Sequence, residues 1–319
     1  NEVLARVVAS GVEAEQAEKL TEQLAGGLMQ KNKDAKDAED GADALFLKQP
    51  VLFGKPEADY FVTLITECAQ SGDDPAKVLA ERLKAEKKNF RALLKQAGGS
   101  DLESGIEGAM FGRFVTSDVL ARTDASVHVA HAMTVHPIAN EVDYFTVVDD
   151  LDTNGAAHAG DMELGAGLFY GYVVVDVPLL ISNLSGCDRR EWAEQSEAIG
   201  DARNIISGLA HAIATVSPGA KLGATAPYAR SEAVLFETGT AQPRTLANGY
   251  LRSLRPSGDV MQNAVDSLGA HLESLDGMYG TEEQRFLATT QAPGSFPAQR
   301  QGAFPAMTQE VLDSLLGAS

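Results

Sequence analysis

Three of the chain's six histidines fall in the stretch HVAHAMTVHP, at His128, His131 and His136. Such crowding raises the possibility of a metal site. A helical His-x-x-His would place His128 and His131 on one face, as in zinc hydrolases, which pair such residues with a general base. No Glu follows His128 to act as that base. The residues from 127 to 136 also alternate with period two, Val127, Val129, Met133 and Val135 forming the apolar set. On a strand, His128 and His136 then point one way and His131 the other, so the three do not converge on one ion. A metal-dependent hydrolase built on His128, His131 and His136 with Asp149 or Asp150 therefore stands as the alternative reading, not the leading one. Asp149-Asp150 could pair as acid and base, but neighbours on a strand face opposite ways, which favours a turn or a solvated pair. There is no P-loop and no Gly-x-Ser-x-Gly. Gly165-Ala166-Gly167 lacks the third glycine of a dinucleotide fingerprint. Nothing in these residues demands an enzyme or a cofactor.

The surrounding composition narrows the classes. With 319 residues and 44% hydrophobic content, the chain can build a large core. Its apolar runs fall short of the roughly 20 residues that span a bilayer, so no membrane partner is expected. Cys68 and Cys187 are too few and too distant for a disulfide framework. They read as buried thiols of a reducing, cytoplasmic compartment. The sequence opens at Asn1 inside a helical pattern, and we expect a further segment before it. Net charge is −19, which opposes nucleic acid on all sides but allows a basic groove on an acidic body. An acidic interaction domain with no nucleic-acid role is a third reading.

The elements that must hold these residues are helical at first. Residues 1–30 carry a helical spacing, 31–43 a polar loop, and 57–70 another helix. Asp74 is placed to cap, and Pro75 to open, a helix over 76–97. That helix is the most basic part of the chain, with Lys77, Arg82, Lys84, Lys87, Lys88, Arg91 and Lys95. Strands are expected over 107–117, 127–136, 143–149 and 166–176, with Gly112 marking a bulge or a close backbone approach. A loop over 150–161, a helix over 188–215, strands near 221–227 and 232–237, and a helix over 258–275 follow. Residues 279–306 read as irregular, and a short helix closes the chain. The order gives an α+β fold.

One run is more specific: FGRFVTSDVLARTDASVHVAHAMTVHPIANEVDYFTVVDDL, then GAAHAG, then ELGAGLFYGY. It resembles the CasC-type (Cas-seven) backbone subunits of the type I-E CRISPR Cascade, an RNA-guided surveillance complex. That family carries Gly-Arg-x-x-Thr-Ser, Ala-His-Ala, an aromatic-Phe-Thr-x-Val-Asp-Asp-Leu run, Gly-x-Ala-His-x-Gly and a Phe-Tyr-x-Tyr strand in this order. Pro218-Gly219-Ala220-Lys221 matches the segment after its long helix. The likeness spans about residues 1–290. Gly171 replaces an arginine of the family, and the basic Ser-Ser-Gln-Ser-Leu-Lys-Arg segment near its start has no counterpart here.

The resemblance implies a modified RRM-like (ferredoxin-like) palm, a helical fingers domain and a β-hairpin thumb. On that scheme residues 1–105 are fingers, 106–124 and 160–306 palm, 125–159 thumb and 307–319 a terminal helix. It implies a non-catalytic subunit that stacks with further copies of itself and other Cascade subunits along CRISPR RNA. The guide is thereby presented to target DNA, and a recruited helicase-nuclease does the cutting. Gly112, Arg113, Phe114, Phe145, Val148 and Lys221 would contact RNA, with Phe145 and Val148 splaying bases at the thumb tip. Lys84, Lys87 and Lys88 would meet DNA. The chemistry is compatible: phosphate holding needs cations and close backbone approach, and base ordering needs apolar wedges.

Overall fold

The computed structural model describes residues 2–28, 54–72, 74–86, 105–113, 123–138, 140–148, 156–217, 219, 226–255 and 257–317. The chain divides into two compact units, Asn1–His128 with Val174–Ala202, and Val129–Val173 with Arg203–Ser319. Both helices and strands are present, so the α+β expectation holds.

The first unit is helical. Helices α1 (Glu2–Ala9), α2 (Ala14–Leu28), α3 (Lys55–Gln70) and α4 (Pro75–Glu86) bring their apolar stripes together. Val7, Ala17, Leu20, Ile65, Cys68 and Leu79 are almost fully buried in the shared core. The helical pattern of residues 1–30 is thus two helices, broken around Ser10 and Gly11. Asp74 Oδ1 accepts from Ala76 N at 3.1 Å, so the expected start of α4 is seen. Arg6 pairs with Asp59, and Arg82 with Glu67 at 2.7 Å, tying α3 to its neighbours.

Two further helices complete this unit: α5 (Gly105–Phe111) and α6 (Val177–Ser185). The first corrects the strand expected over 107–117. Gly108, Ala109 and Met110 are consecutive and all buried, which a strand facing one core cannot achieve and a short helix against α6 can. Asp176 caps α6 by accepting from Leu179 N at 3.0 Å. Cys187, expected to be buried, is only half so.

The second unit holds most of the strands. Strand β1 (Val127–Val129) pairs with β6 (Val173–Val175). Strand β2 (Met133–Thr134) pairs antiparallel with β5 (Phe169–Tyr170). The continuous strands expected over 127–136 and 166–176 are therefore each two short pieces. A long hairpin joins β3 (Asn140–Val148) to β4 (Ala156–Gly165). Since β4 begins at Ala156, the loop expected over 150–161 is partly strand.

Helix α7 (Ser196–Thr215) follows a short 3-10 turn at Arg189–Glu194 and shortens the expected helix over 188–215. A three-stranded sheet follows in the order β7 (Ala233–Thr238), β8 (Gln284–Thr289), β9 (Arg300–Gln301). Residues 226–227 are not strand. Helix α8 (Val260–Tyr279) and helix α9 (Phe304–Leu316) cover this sheet on opposite faces. Phe286 and Ala288 meet Met307 and Val311 of α9, while Leu287 meets Val265 of α8. Residues 279–306, expected to be irregular from their Gly, Pro and Gln content, thus hold β8, β9 and the start of α9; β8 is buried on both sides and shows no alternation to offset that composition. Among the described residues no helix is long and apolar enough to cross a membrane.

Candidate nucleic-acid interface

Gly112 ends α5 in a left-handed conformation, φ +72°. A Cβ at this position would lie 2.6 Å from Thr123 O and 2.8 Å from Ala125 N. The close backbone approach expected at Gly112 is what the structure shows. Directly after it, Arg113 and Thr123 exchange both backbone hydrogen bonds, at 2.8 and 3.0 Å. The buried Asn183 of α6 braces the same junction. Its Nδ2 donates to Ala109 O at 3.0 Å and to Asp124 O at 2.9 Å. Ser126 Oγ donates to Ala109 O at 2.8 Å. Arg113 is therefore carried on a backbone held by its own bridge to Thr123 and by the braced junction before it. Phe114 lies outside the described residues.

The histidines do not gather. His128 and His131 are exposed. His136 is engaged locally: Leu168 N donates to its Nε2 at 3.0 Å, which leaves the proton on Nδ1, donated to Pro137 O at 2.8 Å. Among the described residues no three His, Cys, Asp or Glu side chains come together to hold a metal. The hydrolase alternative finds no support. Asp149 and Asp150 lie outside the described residues.

Among the described residues the hairpin is exposed along most of its length. Its register pairs Phe145 with Gly160, Val147 with His158 and Asp143 with Met162, with a bulge between Val147 and Val148. One face thus carries Asp143, Phe145, Val147, His158 and Met162, and the other Val142, Tyr144 and Thr146. Val142 is 62% exposed, Tyr144 67%, Val147 52% and Met162 41%, so neither face is covered. Phe145 lies across the partner strand. A Cβ on Gly160 would meet its ring at 2.8 Å, and its centroid is 5.9 Å from that of His158. Only glycine at position 160 lets the ring settle there. Val148 is the last residue of β3, beyond the bulge.

Charge on this element is one-sided. Residues 138–168 contain seven Asp or Glu and no Lys or Arg. A hairpin so charged cannot grip phosphate by Coulomb attraction; it can offer only apolar surface and shape. The sequence reading named Phe145 and missed Tyr144 and Val142, although alternation along VDYFTVVD puts this more exposed pair on the reverse face.

Of the other expected contacts, Lys84 lies in α4, and Lys87, Lys88 and Lys221 fall outside the described residues. Lys84 is in the first unit, and the hairpin is in the second.

The chain matches the family described as CT1975-like protein over residues 1–315. No curated protein matches it. Among solved structures, one chain described as "CRISPR RNA-guided surveillance complex, pre-nicking" is similar in fold. Its TM-score is 0.75 at 21% identity, over 98% of this chain and 82% of that one. Another, described as "CRISPR RNA-guided surveillance complex", gives a TM-score of 0.55 at 24% identity, over 72% of this chain and 83% of that one. With the match running almost from end to end, the chain belongs to the CT1975-like protein family.

Proposed function

We propose that this chain is a non-catalytic, RNA-binding backbone subunit of a Cascade-type surveillance complex. The observation that carries the reading is the fold shared over 98% of the chain with a subunit of an RNA-guided complex. The uncovered hairpin supports it, because apolar residues on both faces of an isolated two-stranded ladder are unfavourable in water without a further partner.

On this reading the type I-E-like palm is built on an RRM-like core, the helical first unit supplies fingers, and the hairpin is the thumb. Further copies of the chain stack along one CRISPR RNA. The hairpin's acidic residues keep it from the phosphates, while Phe145, Tyr144 and their neighbours insert between bases. Arg113 holds backbone phosphate from its fixed position. Target DNA pairs with the guide segments left open, Lys84, Lys87 and Lys88 meeting the duplex. A separate helicase-nuclease cuts. The assembly works in the cytoplasm.

Co-expression with the sister subunits and a CRISPR array, followed by purification and nucleic-acid extraction, tests this. The expected result is RNA of one repeat-plus-spacer length, indifferent to spacer sequence and released steeply by salt. A purified complex that carries no such RNA would refute the proposal.

A further inference from the structure

Residues 238–258 contain three arginines and no Asp or Glu, in a chain whose net charge is −19. Arg244 is used internally, donating to Glu283 at 2.6 Å and Glu237 at 3.4 Å. Arg252 and Arg255 are different. Both are exposed. Neither makes an ion pair or a side-chain hydrogen bond among the described residues. In the same unit Arg203, Arg244, Arg285 and Arg300 face carboxylates, while the exposed Arg230 stands alone among the described residues and away from this segment in sequence. An acidic protein with carboxylates to spare has left these two cations unanswered.

The segment that carries them is held firmly. Tyr250, in the 3-10 turn Ala247–Tyr250, is buried, and its hydroxyl donates to Ala264 O at 2.9 Å. Leu246 N donates to Tyr170 Oη at 3.0 Å. Leu254 N donates to Val135 O at 2.9 Å, and its side chain packs against Val135, Tyr250 and Ala264. Arg252 and Arg255 thus flank an anchored residue on a backbone that has already lost its freedom. Leu251 beside them is 80% exposed and adds an apolar ledge. Guanidinium groups presented this way match the planar, bidentate demand of phosphate oxygens better than that of a diffuse counter-ion.

We infer that Arg252 and Arg255 form a contact for a nucleic-acid phosphodiester backbone, additional to the hairpin and to Arg113. The inference rests on the RNA-binding reading above. It adds an electrostatic grip that the acidic hairpin lacks.

The test uses the full chain assembled with its sister subunits on two RNAs of unrelated guide sequence. Arg252→Gln combined with Arg255→Gln is compared with the unaltered chain across a salt series. The slope of log affinity against log salt should fall by about 1.4 for each copy of the chain on the RNA, at about 0.7 per lost single-strand phosphate contact, and equally for both guides. Arg252→Lys with Arg255→Lys should keep most of the slope, and the melting temperature should not move. Capture of duplex target by the preformed complex is the second arm. A fall of about 1.8 there for each copy that meets the duplex, with the RNA slope intact, assigns the same chemistry to target DNA. If neither slope changes while the unaltered complex still binds RNA, the inference is overturned and the functional reading survives. If the substitutions release only a protein subunit, the contact is to protein and the inference is also overturned. An unaltered complex without RNA defeats both.

Discussion

Gly112 decides how the chain leaves α5 and where Arg113 is held. Its φ of +72° costs an L-residue about 1–2 kcal/mol. The neighbouring Thr123 carbonyl, 2.6 Å from an added Cβ, is backbone and cannot rotate aside. Gly112→Ala should therefore lower stability by at least that left-handed penalty and break the Arg113–Thr123 bridge. Chemical denaturation together with amide exchange at Arg113 measures both. A variant as stable and as protected as the unaltered chain would contradict the close approach. Gly112 was legible as a glycine inside an apolar run. The structure around it was not, because Gly108, Ala109 and Met110 are buried together against α6, a tertiary circumstance that periodicity cannot express. Arg252 and Arg255 escaped for another reason: a segment without acids carries no periodic signal.

At the scale of elements, the described residues of the hairpin from β3 to β4 are joined chiefly by their cross-strand pairs. Its acidic residues guard the open strand edges against pairing with other chains. The ring of Phe145 over Gly160 is one such pair, worth about 0.2–1 kcal/mol. Phe145→Ala should therefore shift thermal unfolding only slightly. If the ring stacks on a base in the assembled complex, the same change should weaken RNA or target binding by about 1–3 kcal/mol, roughly 5-fold to more than 100-fold. Melting curves and titrations of the complex separate the two effects. A large loss of stability with unchanged binding would make Phe145 a structural residue only. The alternation of DYFTVVD announced β3 but not β4, whose start at Ala156 fell in the stretch read as a loop, and Asp74-Pro75 announced α4. Strand β8 stayed hidden because its burial on both faces erases alternation between the flanking Gly280 and Pro293.

At the scale of the whole molecule, an excess of acid has to coexist with a folded interior, and the ion-pair network around Arg285 shows how. Arg285 is 1% exposed. It donates to both carboxylate oxygens of Asp276, at 2.5 and 2.7 Å, and to Glu237 at 2.9 Å, joining β8 to α8 and β7. Arg244 keeps hold of Glu237 and Glu283, so Asp276 is the carboxylate that depends on Arg285. The hydrogen bonds from Arg285 hold the Asp276 carboxyl below its ordinary value of 3.8, against the opposing effect of burial. A carboxylate acidified by folding stabilises fully above that ordinary value, and its contribution is lost as pH falls through the lower folded value. Arg285→Met should strand Asp276 and cost about 3–5 kcal/mol at neutral pH. Arg285→Met combined with Asp276→Leu should recover much of that loss, because the uncompensated charge goes with its partner. The double variant should also lose the part of the acid destabilisation that belongs to Asp276. Denaturation curves of the two single variants, the double variant and the unaltered chain, taken at pH 7 and pH 3, give the coupling directly. A coupling that is the same at both pH values would show that Asp276 and Arg285 do not stabilise each other through charge.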